Sequence, residues 1–241
     1  DYDGNGVSDI AVYRPASGFW SVRNLTRFYF GSSEDIPASA DYDGDGTADD
    51  ANLRMIRRFW AVRNITRIYF GESGDLPVPG DYSGNGTAEP GVFRPVTGLW
   101  SIRNVTRFYF GSSGDLPVPG VYWSPSERKY PAVYRPASGL WSVRDLTRFY
   151  FGGSDDLPVP GNYDFAACWD GAVFRPSTGL WSIRDITRVY FGSSSDIPVP
   201  ARYTGMLVDE MGVFRPSTGL WSVRNLTRLY FGSSGDMPAT R

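Results

Sequence analysis

The chain has 241 residues, with 24 basic and 26 acidic side chains and a formal charge of −2, so its charge does not predict nucleic-acid binding. No apolar run reaches the roughly 18 residues that a membrane-spanning helix needs, so we expect no membrane span. Histidine is absent and Cys168 is the single cysteine, which excludes an intrachain disulfide and removes the commonest general base.

The first nine residues, DYDGNGVSD, form an acidic, glycine-rich segment that recurs as DYDGDGTAD at 41–49 and as DYSGNGTAE at 81–89. Side-chain oxygens stand at positions 1, 3, 5 and 9, and the glycine at position 6 permits a sharp turn that would bring them together. Calcium prefers hard oxygen ligands of this kind, and the backbone carbonyl at position 7 would add one more. Because the last acid stands at position 9 and a strand follows it, the segment is not an EF-hand.

We therefore predict three calcium-binding loops, the third of them weaker because it has fewer charged ligands. The predicted Ca2+ ligands are Asp1, Asp3, Asn5, the Val7 carbonyl and Asp9 in loop 1; Asp41, Asp43, Asp45, the Thr47 carbonyl and Asp49 in loop 2; and Asp81, Ser83, Asn85, the Thr87 carbonyl and Glu89 in loop 3. The alternative is an Asp/Asn/Gly-rich turn that binds no metal, and this alternative has most weight for loop 3.

Short strands follow each loop, and the fifth unit illustrates them. We predict strands at Ala172–Arg175, Leu180–Arg184 and Thr187–Phe191, with Pro-Ser-Thr-Gly and Asp-Ile turns between them. A further strand, Ile197–Pro200, leads into the next loop. Its repeated prolines predict an irregular or bulged strand, since proline cannot donate a ladder hydrogen bond.

The same phrase surrounds six tryptophans spaced by 40 or 41 residues, at positions 20, 60, 100, 141, 181 and 221. The chain divides into units 1–40, 41–80, 81–120, 121–161, 162–201 and 202–241. Four short strands per unit, repeated six times, predict an all-β fold, a six-bladed β-propeller forming a single domain over 1–241. A solenoid would need atypical end repeats, whereas the first and last units here keep the full phrase. We expect the terminal DMPAT segment to complete the first blade and close the ring.

Loops 4 and 6 have lost most of the oxygen ligands, and loop 5 keeps Asn162, Asp164 and Asp170 but places Ala166 and Cys168 between them, so we expect two or three bound calcium ions rather than six. Loop 4 begins with Val121 and places Lys129 where the last acid is expected. Loop 6 begins with Arg202. One hypothesis is that Lys129, Arg128 or Arg202 replaces the charge of the cation. The other is that these loops serve contacts, since Trp123, Trp169 and Met206 would then lie along one arc of one face.

The segments DYDGNGVSDIAVYRP and SGDLPVPGDYSGNGTAEPGVFRP resemble the FG-GAP/VCBS-type repeats of secreted bacterial and archaeal proteins, and integrin α-subunit propellers look like distant relatives. The resemblance covers all six units. It implies a propeller that holds calcium in the loop between the first two strands of a blade. It also implies an extracellular or cell-surface location and a role in adhesion or ligand binding, without implying one activity.

Several repeated residues have both a structural and a functional interpretation. The six tryptophans are predicted to be blade core, with stacking on sugars as the alternative. Two series of arginines and one of aspartates predict one Arg–Asp pair per blade junction, with an anion site in the central channel as the alternative. The sequons at Asn24, Asn64, Asn104 and Asn225 are candidate glycosylation sites. Because Asp145 and Asp185 replace asparagine at this place, a hairpin-turn role is the first interpretation.

The function that follows is a non-catalytic, calcium-stabilised extracellular module for adhesion, surface display or self-assembly, with an unknown protein or glycan partner. The alternative is a multivalent lectin with equivalent pockets lined by Trp and Arg between blades. A polysaccharide lyase or hydrolase is the third hypothesis. An enzyme would need an asymmetric set of acid and base groups, which this sequence does not present in a recognisable form.

Overall fold

The runs of β-branched and aromatic residues form short strands in the computed structural model, which describes residues 1–54, 56–123 and 128–240. These described residues form an all-β, six-bladed β-propeller, as predicted. Within the same residues, no helix is long and apolar enough to cross a membrane.

The strands are two to four residues long and are numbered in chain order. They are β1 (Ala11–Arg14), β2 (Phe19–Val22), β3 (Thr26–Tyr29), β4 (Asp35–Pro37), β5 (Ala51–Arg54), β6 (Phe59–Val62), β7 (Thr66–Tyr69), β8 (Leu76–Pro77), β9 (Gly91–Arg94), β10 (Leu99–Ile102), β11 (Thr106–Tyr109), β12 (Leu116–Pro117), β13 (Ala132–Arg135), β14 (Leu140–Val143), β15 (Thr147–Tyr150), β16 (Leu157–Pro158), β17 (Ala172–Arg175), β18 (Leu180–Ile183), β19 (Thr187–Tyr190), β20 (Ile197–Pro198), β21 (Gly212–Arg215), β22 (Leu220–Val223), β23 (Thr227–Tyr230) and β24 (Met237–Pro238).

Each blade is a four-stranded antiparallel sheet whose first strand comes from the preceding repeat. The sheet orders are β24-β1-β2-β3, β4-β5-β6-β7, β8-β9-β10-β11, β12-β13-β14-β15, β16-β17-β18-β19 and β20-β21-β22-β23. In the first blade, Met237 of β24 pairs with Tyr13 and Pro238 pairs with Val12. The C-terminal strand therefore completes the first blade and closes the ring, as the sequence predicted.

The first strand of each blade is shorter than expected, and it is interrupted rather than bulged. In the strand predicted at Ile197–Pro200, regular pairing covers only Ile197 and Pro198. The Val199 amide then donates to the Gly212 carbonyl at 2.8 Å, and Ala201 forms an isolated bridge with Glu210. Because Pro198 and Pro200 have no N–H, only alternate residues can donate to the neighbouring strand.

The six repeated tryptophans form the centres of the blades. All six are fully buried, which confirms the core interpretation and leaves no indole face for a sugar. Five of the indole N–H groups donate to a phenylalanine carbonyl of the same blade, as Trp100 does to Phe110 at 3.0 Å. The exception is Trp60, whose Nε1 has no hydrogen-bond partner among the described residues.

Adjacent blades share their cores through one valine. Val92, Val133, Val173, Val213 and Val12 each lie on the second strand of a blade and pack into the core of the preceding one. In the second blade Asn52 takes this place; it is 1% exposed, and its Nδ2 donates to the Phe30 carbonyl at 2.9 Å. Its Oδ1 has no partner among the described residues, so the junction of the first two blades contains an unsatisfied polar atom.

One Arg–Asp pair fastens the first two strands of every blade at the point where the chain arrives from the preceding blade. The pairs are Arg14–Asp236, Arg54–Asp35, Arg94–Asp75, Arg135–Asp115, Arg175–Asp156 and Arg215–Asp196, with N–O distances of 2.6 to 2.8 Å. Each pair is bidentate, through Nε and Nη2. The carboxylate also accepts the backbone N–H three residues before it, as Asp115 does from Ser112 at 2.8 Å.

The hairpin turns between the third and fourth strands require a left-handed residue. Asn24, Asn64, Asn104, Asp145, Asp185 and Asn225 all have φ near +60°. Asn and Asp tolerate this conformation better than other side chains, so the turn role of these residues is confirmed. The four asparagines are exposed, and their glycosylation remains a prediction.

The Arg–Asp pairs are expected to contribute measurably to stability. Asp115→Asn removes the charge from a fully buried carboxylate that holds Arg135, and we expect it to lower the free energy of unfolding by about 1–2 kcal/mol. Asp145→Asn is the matched control, because the Asp145 side chain is 79% exposed and its carboxylate lies 3.6 Å from Arg144 Nε. Denaturant titration should show almost no change for this control. Equal effects of the two substitutions would contradict the structural role of the pair.

Asn52→Val is expected to stabilise the protein by about 1 kcal/mol, because it removes a buried unsatisfied oxygen and restores the valine found in the other five blades. The Phe30 carbonyl keeps the hydrogen bond from Trp20 Nε1 at 3.0 Å. The reverse change, Val92→Asn in the third blade, should destabilise. Thermal unfolding of both variants tests this, and a less stable Asn52→Val protein would contradict it.

Candidate functional site

The acidic loops lie between the first and second strands of a blade, as the sequence predicted. A backbone bridge joins the two ends of loops 2 to 6, between the residue before position 1 (position 0) and the residue at position 9. The observed bridges are Ala40–Asp49, Gly80–Glu89, Gly120–Tyr130, Gly161–Asp170 and Ala201–Glu210. The bridge holds the loop closed, so its side chains are confined to a small volume.

Loop 1 is organised around Asp1. Its Oδ1 accepts the Gly4 N–H and its Oδ2 accepts the Gly6 N–H, both at 2.7 Å. Asn5 Oδ1 accepts the Val7 N–H at 2.7 Å. Gly4 and Gly6 have φ of +75° and +83°, a left-handed conformation that makes glycine the favoured residue at both positions.

Loop 2 repeats this arrangement. Asp41 accepts the Gly44 and Gly46 amides at 2.6 and 3.0 Å, and Asp45 Oδ1 accepts the Thr47 N–H at 2.8 Å. Burial raises the pKa of Asp49, and the nearby carboxylates of Asp43, Asp41 and Asp45 raise it further. Hydrogen bonds from Thr47 lower the pKa of Asp45.

In these two loops the carboxylates converge. One oxygen from each of Asp1, Asp3 and Asp9 lies within 4.8 Å of the others, and Asp41, Asp43 and Asp49 form the same group. Oxygens bound to one calcium ion at 2.3–2.6 Å are separated by at most about 5 Å, so the spacing fits that ion. Among the described residues, no ion pair neutralises the four acids of loop 2.

Loop 3 has the same backbone with fewer charges. Asp81 accepts the Gly84 and Gly86 amides at 2.6 and 2.9 Å, and Asn85 Oδ1 accepts the Thr87 N–H at 2.8 Å. Ser83 supplies a hydroxyl where the other two loops have a carboxylate. The structure therefore brings together three predicted ligands in each of loops 1 and 2, but Asp45 is not in the loop 2 group. Asn5, Asp45 and Asn85 instead accept the amide at position 7 of their own loops.

The acid at position 9 has a structural role of its own. Asp9, Asp49, Glu89, Asp170 and Glu210 each accept the amide of the tyrosine at position 2, at 2.6 to 2.9 Å. Loops 5 and 6 keep this contact although they have lost most of the other acids. In loops 1 and 2 this contact uses one oxygen of the carboxylate, Oδ2 of Asp9 and of Asp49.

The tyrosine at position 2 anchors every loop, and sequence reasoning missed it although all six units have it. Tyr42, Tyr82, Tyr122, Tyr163 and Tyr203 donate from the hydroxyl to the carbonyl four residues earlier, at 2.6 to 2.8 Å. Tyr2 donates to the Ala239 carbonyl at 2.7 Å. Burial raises the pKa of Tyr2, Tyr42, Tyr163 and Tyr203, so these hydroxyls keep their protons.

The structure corrects the alignment of loop 4. Its bridge to Gly120 involves Tyr130, so the residue equivalent to the last acid is Tyr130 and not Lys129. Loop 4 has one residue more than the others, which shifts Lys129 to position 8. Lys129 packs on Gly80 of the preceding blade, and Arg128 lies 4.8 Å above the Tyr130 ring. In loop 6, burial raises the pKa of Asp209, and the Arg202 charge lowers it. The replacement of the cation by a basic residue stays a prediction.

A closed circle of backbone hydrogen bonds connects the six loops. The amide at position 8 of each loop donates to the carbonyl at position 1 of the preceding loop, at 2.6 to 2.7 Å. The donors and acceptors are Ala48 to Asp1, Ala88 to Asp41, Lys129 to Asp81, Trp169 to Val121, Asp209 to Asn162 and Ser8 to Arg202. The conformation of each loop is thus coupled to the position of the next blade.

The remaining residues that the sequence singled out lie in loops 4, 5 and 6. Burial raises the pKa of the Cys168 thiol, which makes it a poor nucleophile. Trp123 and Met206 are more than half exposed, whereas Trp169 is only partly exposed.

A scan against protein-family models, a search of curated proteins and a search of solved structures each found no match to this chain.

Proposed function

We propose that this protein is a non-catalytic extracellular propeller in which two or three calcium ions rigidify loops 1, 2 and 3, so that the ring presents a fixed surface to a protein or glycan partner. The convergence of three carboxylate oxygens within 4.8 Å in loops 1 and 2 carries the proposal. The FG-GAP/VCBS-like repeats support the extracellular and adhesive parts of it.

Calcium would act through the carbonyls at position 1. Asp1 and Asp41 offer their carboxylates to the loop interior, while their backbone carbonyls hold the next blade through Ala48 and Ala88. An ion bound by the side chains would restrict the same residues that make the contact between blades. The expected consequence is a ring that is stiffer and more stable when the loops are loaded.

In the lectin alternative, sugars would stack on the blade tryptophans, and these side chains are fully buried. One observation still favours carbohydrate or anion binding between blades. A cavity of about 410 Å³ at the rim of the third and fourth blades is lined by Arg144, Arg148 and Phe110, together with Asp145, which lies 3.6 Å from Arg144. We keep this as the second candidate function.

Calcium counting tests the first proposal. Native mass spectrometry should find two or three ions, and chelation should lower the melting temperature. One ion at a hundredfold excess over its dissociation constant adds about 2.7 kcal/mol to the free energy of unfolding. Asp43→Asn should remove one ion or weaken its binding by at least about tenfold, since Asp43 contributes charge and only one weak internal hydrogen bond of 3.2 Å.

Asp164→Asn is the matched control, because Asp164 occupies position 3 of loop 5 and accepts the Ala166 amide, outside any cluster of three acids in the described residues. This variant should bind as many ions as the parent protein. If the parent binds no calcium, or if Asp43→Asn and Asp164→Asn behave alike, the calcium proposal is wrong.

A further inference from the structure

The central channel contains a cavity that lies on one side of the ring, against blades 4, 5 and 6. It has a volume of about 540 Å³ and is walled by the first strands of blades 4, 5 and 6 and by β24. Volumes of about 300–1,000 Å³ are typical of small-ligand sites. Four side chains from the divergent loops reach it: Lys129, Trp169, Arg202 and Asp209.

Three of these side chains are placed by glycines in the neighbouring blade. A Cβ added to Gly120 would lie 2.3 Å from Trp169 Cε3, one on Gly80 would lie 2.3 Å from Lys129 Cδ, and one on Gly161 would lie 2.6 Å from Asp209 Oδ2. Each of these position-8 side chains therefore packs directly on a glycine, in space that the Cβ of any other residue would occupy.

Two other junctions have alanine at position 0 and a small residue at position 8. Ala40 at position 0 faces Ala88 at position 8, and Ala201 faces Ser8. Large position-8 residues thus occur only where position 0 is glycine, among the junctions whose two residues the structure describes. At three adjacent junctions a larger side chain at position 8 therefore coincides with a glycine at position 0. We infer that these three side chains form one group on that arc of the channel.

The chemistry of the group indicates its ligand. Lys129 and Arg202 outnumber Asp209, so the charged side chains lining the cavity sum to +1 in a chain of net charge −2. Lys129 Nζ donates to the Pro79 carbonyl at 3.4 Å, so Arg202 is the cation assigned to the ligand, and a guanidinium suits a carboxylate through two parallel N–H groups. Trp169 and the neighbouring proline rings offer flat apolar surfaces, and Asp209 can accept from hydroxyl groups. Asp209 Oδ2 accepts the Asn162 amide at 2.8 Å, while Oδ1 has no donor among the described residues.

We propose that this cavity binds an acidic sugar: the pyranose ring lies against Trp169, its carboxylate is held by Arg202, and a hydroxyl donates to Asp209. The site goes beyond the calcium proposal and does not rest on it, because its charged and aromatic residues come from loops 4, 5 and 6. Binding is therefore expected to persist when calcium is chelated.

Titration of the full chain with galacturonate, followed by saturation-transfer NMR and by tryptophan fluorescence, tests the proposal. Galactose is the matched neutral ligand, since it differs only at the carboxylate carbon. We expect saturable binding of galacturonate at millimolar concentrations or below, at least about tenfold tighter than that of galactose. Glucuronate with glucose provides a second matched pair.

Variants then locate the site. Trp169→Leu and Arg202→Gln should each weaken galacturonate binding by at least about tenfold, because they remove the stacking face and a charge-assisted contact. Trp123→Leu is the control, since Trp123 is 54% exposed and is not among the residues lining the cavity. Gly120→Ala should displace the Trp169 ring and weaken binding while leaving Arg202 in place.

Melting temperatures of all variants establish that they are folded, and Arg202→Gln supplies the test if Trp169→Leu is not. The proposal is overturned if neither uronate binds, if galacturonate and galactose bind equally, or if Arg202→Gln and the Trp169 variant retain full affinity. Loss of binding on chelation alone would also contradict it, whereas a failure to find calcium would leave this test unaffected.

Discussion

The hydrogen bond from position 8 of one loop to position 1 of the preceding loop is the contact on which the ring depends. It occurs at all six junctions, with lengths of 2.6 to 2.7 Å, and it uses only backbone atoms. The side chains at these positions are therefore free to differ between blades, while the spacing of the blades stays constant. The buried Arg–Asp pairs and the shared valines then hold the strands that lead into each loop.

Around this circle the protein uses two ways to hold a loop. In loops 1 and 2, carboxylate oxygens surround a small volume, and a cation there would relieve the repulsion between their negative charges. Loop 3 has fewer charges. In loops 4, 5 and 6 the space at the junction is filled by Lys129, Trp169 and Asp209, which pack on glycines. The tyrosine at position 2 is common to both groups. Acidic side chains thus converge in the first half of the ring, where we propose calcium, and larger side chains pack at the junctions of the second half, where we propose the channel ligand.

Much of the fold could be predicted from the sequence, because a repeat of 40 or 41 residues with four short strands has few architectures open to it. The convergence of acids in loops 1 and 2 could be predicted as well, since these residues are local in sequence. Lys129 was misassigned because position 9 was counted from the start of loop 4, whereas the extra residue of this 41-residue unit makes Tyr130 the bridge partner of Gly120. The channel cavity could not be predicted, since the match between Gly120 and Trp169 joins residues of different repeats.

Amide hydrogen exchange at the position-8 residues, with and without calcium, tests the central claim most directly. If calcium in loops 1 and 2 rigidifies the junctions, the amides of Ala48 and Ala88, which donate to Asp1 and Asp41, should exchange more slowly when the ion is present. The amides of Trp169 and Asp209 donate to loops without the acid set and should not change. If calcium leaves the exchange rates of the Ala48 and Ala88 amides unchanged, the claim that the metal acts through these contacts is contradicted.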